Sequence, residues 1–171
     1  MEFTPQRVAG SSMHVGAMWL WHDVDYLAFN VDGPRTGPEF FRDEQQFTPL
    51  AEHLARQAAI EVTAQREAFS DLPAIAHSLL SQPARRGFVW DNFDAGIAAA
   101  LVGHPETALD RFDRVLAELD ETLAPWMATA AEKTRELRAI AADRDAVASW
   151  VTRAVSSCRG KLGLPPASFS L

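Results

Sequence analysis

From Met13 to Val31 the chain alternates. Val15, Ala17, Trp19, Trp21, Leu27, Phe29 and Val31 fall at odd positions, and a mixed set including His14, His22, Tyr26 and Asn30 falls between them. A period of two is the pattern of a strand with one apolar face, and it limits the fold because a one-residue slip would turn that face outward. One unbroken strand of this length would be unusual, so a turn belongs inside it. A two-residue loop at Asp23-Val24 would set Trp19 and Trp21 on the opposite face from Phe29 and Val31. It would also force β-branched Val24 into a primed turn. A three-residue loop, Asp23-Val24-Asp25, pairs Trp21 with Leu27, Trp19 with Phe29 and Ala17 with Val31, and collects the apolar residues on one side. The sequence therefore predicts a β-hairpin over 13–31.

Two Gly-Pro pairs, Gly33-Pro34 and Gly37-Pro38, mark 32–47 as a loop. Residues 48–160 are read as mostly helical and 161–171 as a tail. Thr48-Pro49 offers a cap and a first-turn proline for a helix reaching about Phe69, with Leu50, Leu54, Ala58 and Val62 on one side. Ser70-Asp71-Leu72-Pro73 restarts the chain as a shorter helix that stops before Pro83. The segment "QPARRGFVWDNFDAG" then interrupts the pattern. Gly103 ends the next helix and Pro105 opens another, whose apolar face is Ala108, Leu109, Phe112, Val115, Leu116 and Leu119. The series Gly103, Ala108, Phe112, Leu116 resembles the small-large interlock of a tetratricopeptide helical hairpin. The resemblance spans about 25 residues, its proline is displaced, and no second copy follows at a period of about 34, so it implies a helical hairpin and no solenoid. Pro125 introduces a last helical region to about Arg159. Arg144 interrupts its apolar line, through a bend or a paired carboxylate. The expected fold is α+β: one domain over 1–171, with a short antiparallel N-terminal hairpin or sheet packed on about five helices.

Charge and motifs narrow the function. The formal net charge is -7 and the pI about 5.2, which disfavours nucleic acid and anionic membranes as partners. Arg85 and Arg86 beside Phe88, Trp90 and Phe93 are too small a basic footprint to reverse that. The longest apolar runs fall short of the ~20 residues of a membrane helix, and no secretory pattern is visible, so a cytoplasmic, bacterial-type domain is expected. A lone cysteine, Cys158, excludes an internal disulfide and a multi-cysteine zinc site. Its place near a helix end disfavours a thiolate nucleophile. Zinc-protease, phosphate-loop, dinucleotide and nucleophile-elbow motifs are missing, and His53, His77 and His104 lack partners at ligand spacing. No cofactor is expected.

Two function classes remain. The first is a non-enzymatic protein-interaction or regulatory module, with a protein partner and a homodimer formed by strand edges. The alternative is a small-molecule-binding protein or enzyme built on a polar cluster around the hairpin and the Gly-Pro loop. In that alternative His22 and Tyr26 are the acid-base candidates, Arg35, Glu39 and Arg42 the ligand-binding candidates, and Asp23 and Asp25 the metal candidates. A pocket lined by Trp19, Trp21 or Trp90 would favour the alternative; a broad exposed apolar patch would favour the module.

Overall fold

The alternating stretch builds a short ladder and then leaves it. The computed structural model describes residues 10–36, 39–40, 42–120 and 122–167. These divide into two units, one drawn from 1–18 and 28–68 and the other from 19–27 and 69–171. The chain is mostly helical, with six α-helices among the described residues.

In the first unit, β1 (Gly10–Ser11) pairs antiparallel with β4 (Glu39–Phe40), and β2 (His14–Ala17) with β3 (Val31–Arg35). The β2–β3 ladder matches Ala17 with Val31, as the alternation predicts, and Asn30 N closes it on Ala17 O at 2.9 Å. Trp19 and Phe29, or Trp21 and Leu27, do not pair. The chain turns away after Ala17 into a 3-10 turn, Leu20–His22, ended by Asp23 in the left-handed region at φ 53°. The reason is burial. A two-stranded ribbon cannot cover two indoles, whereas Trp19 and Trp21 keep only 7% and 6% of their surface exposed in the second unit. Leu27, which that hairpin would have buried, is 77% exposed. The predicted hairpin over 13–31 is thus corrected to a ladder joined by an excursion, and the β part is smaller than expected.

Helix α1 (Glu44–Ala68) completes this unit. It begins before Thr48 because Asp43 is the better cap: its Oδ1 accepts from Gln46 N at 2.8 Å and its carbonyl from Phe47 N at 3.0 Å. Pro49 is carried inside the helix near its start. Gly33 is required where β3 meets β2 and α1, since a Cβ there would collide with Val15 O and lie 2.6 Å from Gln65 Nε2.

The second unit contains α2 (Leu72–Ser81), α3 (Val89–Leu101), α4 (Pro105–Glu118), α5 (Pro125–Ile140) and α6 (Arg144–Lys161). Helix α3 is its centre. Every residue from 92 to 101 is buried, as a helix enclosed on all sides requires, and α2, α4 and α6 pack on it. Helix α5 packs on α4 and α6, and the 3-10 turn lies on α6. Gly103, at φ 81°, ends α3 and lets His104 N return to Ala99 O at 2.8 Å. Arg111, on α4, fixes the segment before α3 by donating to Gln82 O at 2.8 Å and to Asn92 Oδ1 at 2.9 Å.

The last helical region is two helices, so the bend is the alternative at Arg144 that the structure adopts. Asp143 caps α6, accepting from Ala146 N at 3.0 Å. Asp143→Ala should cost about 1 kcal/mol in urea unfolding, the usual loss for an N-cap carboxylate. No helix among the described residues is long and apolar enough to cross a membrane.

Candidate functional site

The excursion 19–27 gathers the chemistry of the helical unit. Trp19 and Trp21 stack at 5.0 Å with planes 7° apart, and Trp19 meets the edge of Phe69 at 5.3 Å. Trp21 Nε1 donates to Asp94 Oδ1 at 2.7 Å, and His22 Nε2 lies 2.6 Å from the same oxygen. Asp94 comes from the apolar run of α3 and is 3% exposed. A carboxylate so deep is tolerable only with hydrogen-bond partners, and here they come from a turn about 70 residues earlier in the chain.

Above this buried pair lies an aromatic surface. The His22 ring is 4.7 Å from Trp90, Phe93 meets Trp90 edge-on at 5.7 Å, and Trp90 touches Trp126 at 5.8 Å. Trp90 lies in the first turn of α3 and Trp126 in the first turn of α5. They are 36% and 46% exposed, and Leu123, one turn before Trp126, is 71% exposed.

On the other side, three successive carbonyls of the turn accept from α5 and α6. Lys133 Nζ donates to His22 O at 2.8 Å, Lys161 Nζ to Asp23 O at 3.0 Å, and Cys158 Sγ to Val24 O at 3.4 Å. Lys161 Nζ is also 2.9 Å from Asp23 Oδ1, an ion contact without hydrogen-bond geometry. Burial pushes the Lys133 ammonium below its ordinary value, which nearby Asp23 opposes and Lys161 reinforces. A cavity of about 490 Å³ opens here, lined in part by Asp23, Glu132, Lys133, Glu136 and Arg153. A larger hollow of about 600 Å³ at Arg86, Arg114 and Glu118 is less promising. Arg114 is paired with Asp110 at 2.9 Å, and Glu118 accepts from Gly87 N at 2.7 Å.

The predicted cluster is divided between the units. His22, Asp23, Asp25 and Tyr26 belong to the helical one. His22 is buried on Asp94, Asp23 is held by Lys161, Asp25 is exposed, and Tyr26 is 60% exposed. Arg35, Glu39 and Arg42 belong to the other unit. Arg35 Nε donates to His14 Nε2 at 3.1 Å, and exposed Arg42 gives its backbone N–H to Gln46 Oε1 at 3.3 Å. Glu39 pairs with Ser11 through the backbone, and its side chain lies outside the described residues, as does Gly37-Pro38. Among the described residues no three His, Cys, Asp or Glu side chains converge as metal ligands. His53, His77 and His104 are exposed. Arg85 sits 3.9 Å over the Phe88 ring and 3.4 Å from Asp91. Asp94, Lys133 and Lys161 carry no local motif that singles them out, although an acid in the apolar run of α3 is a visible signal.

No protein-family profile, curated protein or solved structure matches the chain.

Proposed function

We propose that the chain is a non-enzymatic cytoplasmic protein-interaction module, and that it meets its partner through the Trp90–Trp126 face. The observation that carries this is the contact of two part-exposed indoles from different helices, with Trp90 resting on buried Phe93 and His22. Large rigid aromatic groups bind at low entropic cost when their support is already fixed, and Trp is enriched among residues that dominate interfaces. The occupant that suits this face is an apolar side-chain cluster of a protein partner. The His22–Asp94 pair then has a structural task, holding the turn beneath the platform.

Photo-crosslinking in cells from position 123, exposed beside Trp126, with exposed position 145 as the control, would identify the partner for titration. Trp90→Ala and Trp126→Ala are each expected to weaken the complex by about 2 kcal/mol, roughly thirtyfold in Kd. Unchanged affinity in both variants would sink the assignment.

A homodimer through the strand edges belongs to the same proposal. Each described strand pairs on one side only, in two-stranded ladders. Light scattering across micromolar concentrations tests it, and a constant monomer mass excludes it.

A further inference from the structure

The whole chain contains two lysines and one cysteine, and all three side chains end on the turn at His22, Asp23 and Val24. Lysines that only kept the protein soluble would be scattered over exposed surface. Lys133 is half-buried, its amine is bonded to a neutral carbonyl, and it lines a cavity of about 490 Å³. That volume falls within the range of about 300–1,000 Å³ usual for small-molecule sites. We propose that this cavity takes a small 2-oxo acid, held through its carboxylate by Arg153 and joined through its carbonyl carbon to Lys133 Nζ as an imine.

The geometry supplies the three things such a site needs. The first is an amine in the cavity wall, half-buried and bonded to a neutral carbonyl in place of a carboxylate. The titratable and charged groups around Lys133 are Asp23 on the turn, Glu132 and Glu136 on α5, and Arg153, Lys161 and the Cys158 thiol on α6. Two of the three carboxylates are engaged elsewhere: Asp23 with Lys161 at 2.9 Å, and Glu136 with Trp150 Nε1 at 2.9 Å. Desolvation by burial lowers the Lys133 pKa from its ordinary value, with Asp23 the main group opposing it. The second is orientation. The N–H donated to His22 O at 2.8 Å holds the nitrogen in place at the cavity wall. The third is an anchor, and the planar guanidinium of Arg153 suits a carboxylate. Glu132 faces the same space and repels a second negative charge, which favours a monoanion with a neutral carbonyl over a phosphate ester or a dicarboxylate.

The reaction balances without a further reagent. The Nζ lone pair forms a bond to the carbonyl carbon, and one amine proton moves to the oxygen to give a carbinolamine. The hydroxyl then leaves as water with the second amine proton, and a C=N double bond replaces C=O.

The test uses the full-length protein with pyruvate and sodium cyanoborohydride, which reduces an imine to a stable amine. Peptide mapping by mass spectrometry locates the adduct. Apart from the N-terminus, only Lys133 and Lys161 can react. Exposure alone predicts Lys161, whose side chain is 41% accessible. At low conversion the proposal expects the label chiefly on Lys133. Lactate, which has the carboxylate and lacks the carbonyl, should protect Lys133. Arg153→Gln should lose most pyruvate labelling at Lys133 while acetaldehyde labelling there persists. Labelling that favours Lys161, or is unaffected by lactate, overturns the proposal. The lactate comparison needs no variant, so it stands even if Arg153→Gln folds poorly.

Discussion

Asp94→Ala is expected to destabilise the protein by about 3–5 kcal/mol, the range for breaking a buried polar pair by removing one partner. The side chain is 4% exposed, and one of its oxygens serves both Trp21 Nε1 and His22 Nε2. Alanine would leave both ring nitrogens buried with that acceptor gone, each costing about 1–3 kcal/mol, and would open a void in α3. Asn keeps the shape and an acceptor oxygen, so Asp94→Asn should cost less, about 1–2 kcal/mol. Trp21→Phe removes one of the two ring nitrogens that meet this oxygen. Combined with Asp94→Ala it should cost less than the sum of the single changes, because the interaction is lost only once. Urea unfolding followed by tryptophan fluorescence measures all four proteins. A loss below about 1 kcal/mol for Asp94→Ala would mean that Asp94 does not hold the turn. The Trp90 platform should loosen in the same variant, since the turn carries the His22 ring against it.

How much of this was legible follows from the range of each interaction. The start of α2 at Asp71, the break at Gly103-Pro105 and the start of α5 at Pro125 are local capping and backbone effects, and the sequence predicts all three. The pairing of Ala17 with Val31 was legible because alternation sets register. Where that ladder stops was not. The alternation continues through Trp19 and Trp21, and only helices from 69 onward offer those indoles a buried place. His22 was legible as a polar group of interest, but its partner lies 72 residues away. The same holds for Lys133, 111 residues from the carbonyl it caps. Asp43 displaced Thr48 as the start of α1 because two acceptable caps stood within one turn and a half, and propensity alone did not rank them.

The helical hairpin α3–α4 shows the same limit, and it yields a second large effect. The sequence pattern groups Gly103, Ala108, Phe112 and Leu116 as a small-large interlock, takes Gly103 as the end of a helix, and does not include Gly96. In the structure Gly103 is the C-terminal stop of α3, and Gly96 is where the Phe112 ring lies. A Cβ at Gly96 would stand 2.5 Å from Phe112 Cε1 and 2.8 Å from Cδ1. Phe112 is fully buried and also meets Phe93 at 6.4 Å. Phe112→Ala should therefore cost about 3–5 kcal/mol, the usual penalty for emptying an aromatic core position. Gly96→Ala sets two effects against each other. Alanine gains about 1 kcal/mol in helix propensity, while forcing a ring in a packed core to move costs about 1–3 kcal/mol. The ring is enclosed, so the clash should win and the variant should be less stable than the parent. In a Phe112→Leu background the obstruction is smaller, and Gly96→Ala should then stabilise. That change of sign isolates the interlock from propensity, because propensity is the same in both backgrounds. Equal destabilisation by Gly96→Ala in the two backgrounds would show that something other than Phe112 demands the glycine.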